Sequence, residues 1–137
     1  KMNVTRKIDL IVVHCSDSDV KAHDDISVIK EWHLQRGFLD VGYHFFINKN
    51  GDIQTGRQLN KAGSHCKGYN AHSVGICLSG RNYFSEQQFN SAALLIDMLI
   101  HFLDLSITDI VRHCELNPAK TCPNFSMIEI LNRIYSS

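Results

Sequence analysis

Two histidines and one cysteine have the types and positions of metal ligands. His14 follows the apolar run 8–13, His113 follows the short run 109–112, and Cys122 lies nine residues after His113. Two strand ends and a loop bounded by prolines can converge on one point. A catalytic zinc site needs three protein ligands drawn from histidine, cysteine and carboxylate, with one position open for water. The three residues meet that ligand count.

Such a site would supply a nucleophile for hydrolysis. One Zn²⁺ ion held by two neutral imidazoles and one thiolate keeps a positive charge, and it lowers the pKa of its water to about 7. Eight histidines and five cysteines nevertheless allow many triples. A single histidine is more often a partly buried side chain bonded to backbone groups. The residue types alone leave both interpretations open.

Strands and helices alternate along the chain, in an order that can position these residues. The β-branched run 8–13 is typical of a central strand buried on both faces. Residues 57–72 lack periodicity, and loops of this length often carry function. A mixed sheet covered by helices, of the α/β or α+β class, follows. The patterns predict strands over residues 8–13, 43–47, 53–55, 74–78 and 109–112, and helices over residues 26–36, 85–103 and 126–135.

Local signals mark the ends of these elements. Asp25 can cap the first helix and Gly37 can end it. Residues 85–88 open the second helix, and the Asn50-Gly51 pair predicts a hairpin turn. His113 is expected to lie in a loop after the last strand.

Composition sets limits on size and partners. A chain of 137 residues can bury one core without disulfides, so we expect a single domain over residues 1–137. Fourteen basic and fourteen acidic residues leave no excess charge, which argues against nucleic acid and membrane surfaces as partners. The apolar stretch 92–105 contains Asp97, His101 and Asp104, so it predicts an amphipathic helix instead of a membrane span. A monomer is expected.

Five segments carry motifs in a fixed order: residues 13–16 (VHCS), 32–45, 63–70 (GSHCKGYN), 73–78 (SVGICL) and 113–123. Together they resemble the type 2 N-acetylmuramoyl-L-alanine amidase family, which includes phage lysozymes with amidase activity and the peptidoglycan recognition proteins. The resemblance runs from about residue 8 to residue 125. It implies a mixed α/β fold, with a central mixed β-sheet flanked by helices and one zinc ion at the floor of a surface groove.

The resemblance also assigns residues. It implies His14, His113 and Cys122 as the zinc ligands, and Tyr43 and Lys120 as catalytic residues. The segment from His113 to Lys120 is one residue longer than in the phage lysozymes. In this chemistry Lys120 would stabilise an oxyanion, while the Tyr43 hydroxyl would hydrogen-bond the zinc water or the developing charge. The implied substrate is peptidoglycan or a soluble muropeptide, cut between N-acetylmuramic acid and L-alanine.

Three polar residues lie in the loop that lines the groove in the resembled family, namely Arg57, His65 and Asn70. They are candidates for substrate binding, and a solvated surface role is the open alternative. The chain shows no signal-peptide core near its start. We therefore expect a protein that stays in the cytoplasm until lysis releases it, or that acts on the cell wall.

Two other functions are weighed against the amidase. Some relatives bind peptidoglycan without cutting it, and such members typically lack the ligand at Cys122, which is present here. A purely structural zinc usually takes four protein ligands. Only three candidate ligands, His14, His113 and Cys122, are expected to converge, which argues against a structural ion.

The neighbours of the ligands have simpler expectations. Strand alternation places His44 on the face opposite Tyr43, in the core or beside the site. Cys15 and Cys114 should face away from the metal as small buried residues. The alternative is a bond between these two in an oxidising setting.

Overall fold

The computed structural model describes residues 4–135, so both ends of the expected domain, residues 1–3 and 136–137, lie outside the described part. Within it, five strands form one sheet in the order β3-β2-β4-β1-β5. β1 is parallel to β4 and β5, β2 is parallel to β4, and β3 is antiparallel to β2. The expected mixed sheet is thus confirmed. The strands are β1 (Leu10–Cys15), β2 (Phe45–Ile47), β3 (Ile53–Thr55), β4 (Ser73–Leu78) and β5 (Ile110–Arg112).

Helices cover both faces of the sheet. They are α1 (Ile26–Gln35), α2 (Glu86–Leu103), α3 (His113–Leu116) and α4 (Ile128–Tyr135). The larger core joins α2 and α4 to one face, where Val13 and Ile76 are fully buried. A smaller core joins α1 to the other face through Ile29, Phe46 and Cys77. Burial on both faces explains why the central strands are mostly apolar.

The predicted caps and turn form as expected. Asp25 accepts a hydrogen bond from the Ser27 amide at 2.8 Å, and Ser85 and Gln88 form a reciprocal capping box at the start of α2. The hairpin turn joins β2 to β3. In residues 4–135 no helix is long and apolar enough to cross a bilayer.

Several predicted boundaries were wrong: α4 begins at Ile128 and not at residue 126, and three others lie near the candidate ligands. β1 is shifted toward its carboxyl end and contains His14 and Cys15, because β4 supplies pairing partners for both. β2 begins only at Phe45, so Tyr43 precedes it. His113 opens the one-turn helix α3 instead of a loop, since the Glu115 carboxylate accepts the Arg112 amide at 2.7 Å and caps that turn.

Candidate active site

The three predicted metal ligands converge at one edge of the sheet. His14 lies near the carboxyl end of β1, and His113 directly follows β5, the parallel neighbour of β1. Carboxyl ends of parallel strands share an edge, where open α/β sheets bind ligands. One ligand atom from each of His14, His113 and Cys122 lies within 4.8 Å of the other two. The two imidazole centroids are 4.4 Å apart.

Cys122 reaches this point through the loop after α3. The Cys114 amide donates to the Cys122 carbonyl at 2.9 Å and closes that loop. The Cys15 amide donates to Cys122 Sγ, also at 2.9 Å, a bond that favours a thiolate. Without metal, contact with the Cys15 thiol and burial raise the pKa of Cys122. Metal binding would therefore displace a proton from this thiol.

The imidazoles of the cluster are held neutral. Burial, followed by the neighbours His65 and His113, lowers the pKa of His14 well below its ordinary value. Burial and the charge of Lys120 lower the pKa of His113. Neutral imidazole is the form that binds a metal. Two neutral imidazoles and one thiol form a donor set that fits zinc.

A groove of about 840 Å³ opens above the cluster. α1 and the segment after it form one wall, and the loop between β3 and β4 forms another. The segment between α3 and Cys122 forms the third. The wall residues include Trp32, His33, Arg36 and Phe38 from the first, Ser64, His65, Cys66, Lys67 and Asn70 from the second, and Asn117, Lys120 and Thr121 from the third.

Tyr43 and Lys120, the two predicted catalytic residues, both line this groove. The Tyr43 ring centroid lies 5.0 Å from that of His14. Burial and the neighbouring thiols Cys77 and Cys122 raise the pKa of Tyr43 well above its ordinary value, so its hydroxyl keeps its proton. Lys120 is exposed on the wall beside His113. The groove thus combines a candidate metal site, a hydroxyl donor and a cation.

The three candidate substrate contacts occupy different places. Arg57 donates through Nε to the Val41 carbonyl at 2.7 Å and through a terminal nitrogen to the Ala62 carbonyl at 2.8 Å. It is not among the described residues that line the groove, whereas His65 and Asn70 are. Arg57 therefore braces the loop behind the groove wall.

His65 makes a contact that the sequence did not reveal. Its Nδ1 lies 2.8 Å from His14 Nε2, and its Nε2 lies 3.0 Å from Ser73 Oγ. Burial, followed by His44 and His113, lowers the pKa of His65 to about 3. The sequence feature that could have indicated this contact is the pair Gly63 and Gly75. A Cβ at either position would lie 2.6 Å from the His65 ring.

The neighbours of the ligands follow their expectations only in part. His44 is fully buried, accepts from the Gly75 amide at 3.0 Å and lies 2.8 Å from the Lys61 carbonyl, which confirms a core role. The prediction for Cys15 was wrong: it is buried but lines the groove beside Cys122, because the Cys122 loop crosses the end of β1. Cys114 is partly exposed. All five cysteines lie in the described part of the chain and are thiols here.

Comparison with known proteins gives a consistent set of matches. A family model described as "N-acetylmuramoyl-L-alanine amidase" matches residues 4–125. The endolysin of Escherichia phage T7 is 35% identical over 128 residues, which are 87% of this chain and 82% of that protein. Human peptidoglycan recognition protein 3 is 33% identical over 99 residues, 69% of this chain and 28% of that protein.

Solved structures share the fold. The N-acetylmuramoyl-L-alanine amidase LysC from Clostridium intestinale URNW superposes with a TM-score of 0.82 at 32% identity, covering 98% of this chain and 95% of that one. A mutant of Drosophila PGRP-LB in complex with tracheal cytotoxin superposes with a TM-score of 0.74 at 26% identity, covering 89% and 78%. The sheet and its helices are thus an arrangement found in both amidases and recognition proteins.

Proposed function

The chain belongs to the N-acetylmuramoyl-L-alanine amidase family, and we propose that it hydrolyses, with one bound zinc ion, the amide bond between N-acetylmuramic acid and L-alanine in peptidoglycan. A phage endolysin and the amidase LysC from Clostridium intestinale, both similar to this chain, support a peptidoglycan amidase. The observation that carries the proposal is the convergence of His14, His113 and Cys122 within 4.8 Å, in the same groove as Tyr43 and Lys120.

The proposed zinc ligands are His14, His113 and Cys122. Held by these three residues, a zinc ion would supply an activated water at neutral pH and polarisation of the carbonyl under attack. The protein prepares this site by keeping both imidazoles neutral and by directing the Cys15 amide at Cys122 Sγ.

Tyr43 and Lys120 are proposed to stabilise the transition state. Attack on an amide places negative charge on the carbonyl oxygen, and preorganised donors at that point lower the barrier. The protonated Tyr43 hydroxyl can donate to this oxygen or to the attacking water, because its raised pKa makes it a donor and not a base at neutral pH. Lys120, which lines the same groove beside His113, supplies a positive charge.

The charges of the groove suit a peptide that carries carboxylates. Among its described lining residues, Arg36, Lys67 and Lys120 are cations and Asp17 is the one acid, although the whole chain is neutral. Stem peptides of peptidoglycan carry free carboxylates, which basic side chains attract. His65 and Asn70, which line the groove, are the substrate contacts proposed in the loop wall. Arg57 is proposed to support substrate binding indirectly, by holding this loop through its bonds to the Val41 and Ala62 carbonyls.

The phage endolysins among the relatives support a cell-wall setting. We propose that the protein acts as a monomer on the wall after lysis exposes it, or on soluble muropeptides. Neither substrate requires a nucleic acid or a membrane partner.

The test is an amidase assay on purified protein with peptidoglycan or a muramoyl peptide, with and without a chelator. Newly exposed L-alanine amino groups are the signal. If the chelator abolishes the release of L-alanine amino groups and added zinc restores it, the result supports both the amidase activity and its dependence on zinc. Binding without release by zinc-loaded protein would instead establish a recognition module, and Cys122→Ser is the control in which release should be lost while binding persists.

A further inference from the structure

His65 belongs to the loop between β3 and β4, yet it contacts the proposed ligand His14 directly. The two rings meet edge to face, with centroids 4.9 Å apart and an interplanar angle of 86°. His65 Nδ1 lies 2.8 Å from His14 Nε2, and its Nε2 lies 3.0 Å from Ser73 Oγ. Both nitrogens of His65 are therefore occupied by protein partners, as in a residue that holds another one in place.

The protons on these rings follow from the hydrogen bonds. An imidazole that binds a metal uses one ring nitrogen for the metal and carries its proton on the other. His14 Nε2 faces His65, which leaves His14 Nδ1 for a metal and places a proton on Nε2. That proton points to His65 Nδ1, so His65 carries its own proton on Nε2 and donates it to Ser73 Oγ. His14 Nε2, His65 Nδ1 and His65 Nε2 then each have a hydrogen-bond partner within the protein.

The surroundings of His65 fit an imidazole closely. A Cβ at Gly75, in β4, would lie 2.6 Å from His65 Cγ and Cδ2, and a Cβ at Gly63 would lie 2.6 Å from Cδ2. Neither position can carry a side chain without moving the ring. Asn70 Oδ1 accepts the His65 amide at 2.9 Å, and Ser73 is fully buried. The loop backbone and the sheet together fix the direction of the ring.

The geometry points to His65 as a positioning residue that sets the tautomer and the orientation of His14 through the hydrogen-bonded chain His14–His65–Ser73. This role rests on the proposed function, because it requires His14 to bind zinc. It differs from the substrate contact proposed for the same residue, because both ring nitrogens face protein partners and His65 acts on the metal centre through His14. A residue in such a role changes metal affinity, and this effect separates it from a residue that only touches substrate.

Two amide side chains make a matched test. His65→Asn keeps a polar atom near the position of Nδ1, facing His14, whereas His65→Gln moves the amide toward the position of Nε2, facing Ser73. We expect the zinc affinity, measured by competition with a chromophoric chelator, to fall by about 10- to 100-fold in His65→Gln and to stay within about threefold of the unmodified protein in His65→Asn. Ser73→Ala should give a smaller loss than His65→Gln.

A second readout reports the tautomer itself. Nitrogen-15 NMR of the histidine rings in the zinc-loaded protein should show His14 protonated at Nε2, and His65→Gln should broaden or shift this signal. Full zinc affinity in His65→Gln with only a raised KM would overturn the inference, since His65 would then be a substrate contact alone. Equal losses in His65→Asn and His65→Gln, together with a lowered Tm in both, would also overturn it, since the ring would serve packing.

Failure of the proposed function looks different from failure of this inference. An unmodified protein that binds no zinc and releases no L-alanine defeats the proposed function before any variant is compared. An unmodified protein that does both, with a His65→Gln variant that binds zinc equally well, defeats only the role of His65.

Discussion

At the scale of single residues, the site depends on groups whose protonation is set by burial. Tyr43 keeps its proton because its surroundings raise its pKa, and His14 stays neutral because burial lowers its own. Both shifts favour the form that the proposed chemistry needs, a hydroxyl that donates and an imidazole that binds metal.

Tyr43 and Lys120, the two proposed catalytic residues, carry the first prediction. Tyr43→Phe and Lys120→Ala should each keep zinc and lose about 100- to 1,000-fold in kcat, because each removes one donor or charge at the developing oxyanion. Release of L-alanine amino groups measures the rate, and a chelator competition measures the zinc. Tyr69→Phe and Lys21→Ala, which do not line the groove, should keep full activity. Near-normal turnover in either active-site variant would refute the role given to that residue.

The second prediction concerns the proton on Cys122. Its pKa is raised in the metal-free protein by the Cys15 thiol and by burial, so zinc must displace this proton on binding. Apparent zinc affinity should therefore rise with pH, by about tenfold per pH unit below the thiol pKa. Proton release on zinc addition in weakly buffered solution, near pH 7, measures the effect. Affinity that does not change between pH 6 and pH 8 would contradict a thiol ligand, as would unchanged proton release in Cys122→Ser.

At the scale of elements, the site is held by contacts that join helices and loops to the ends of strands. α2 supplies an example through Gln88, which is fully buried. Its Nε2 donates to the Ile47 carbonyl at 3.1 Å and to the Ser79 carbonyl at 2.7 Å, while its Oε1 accepts the Ser85 amide at 2.9 Å. One side chain thus joins the start of α2 to the ends of β2 and β4.

The third prediction follows from these bonds. Gln88→Ala should lower the free energy of unfolding by about 2–4 kcal/mol, because buried carbonyl and amide groups lose their partner. Urea unfolding followed by circular dichroism measures the change. Gln87→Ala is the matched control, since Gln87 is the same residue type on the same turn and is exposed. Equal unfolding midpoints for the two variants would show that the three bonds contribute nothing.

At the scale of the whole molecule, stability depends on buried neutral histidines. Burial lowers the pKa of His44 to about 4 from an ordinary value of 6.5. Below pH 6.5 the unfolded chain binds a proton at this residue that the folded protein does not bind, so stability falls as the pH falls. The loss continues until the pH reaches the folded pKa near 4.

The fourth prediction is a measurable decline in stability in mild acid. His44 alone would contribute up to about 3 kcal/mol between pH 6.5 and pH 4. Urea unfolding at pH 6.5 and pH 4.5 measures the decline, which His44→Asn should reduce. His101→Gln, exposed on α2, should leave it unchanged. A protein equally stable at both pH values would contradict this account.

Much of the fold could be predicted because its signals are local. Apolar β-branched runs, the Asp25 cap, the capping box at Ser85 and Gln88, and the hairpin turn each act over a few residues, and all of them formed. Strand limits were less accurate, since pairing with β4 extended β1 over His14 and Cys15. Whether a strand continues depends on its partner, which local sequence does not specify.

The residue types of the candidate ligands could be read from the sequence, and its motifs indicated the family and the residues of the candidate metal cluster. How those residues are supported depends on contacts that exist only in the folded chain. The contact of His65 with His14 spans 51 positions and that of Cys15 with Cys122 spans 107. Such contacts form when a parallel sheet brings distant strand ends to one edge, and no local pattern encodes the side chain that will then lie opposite.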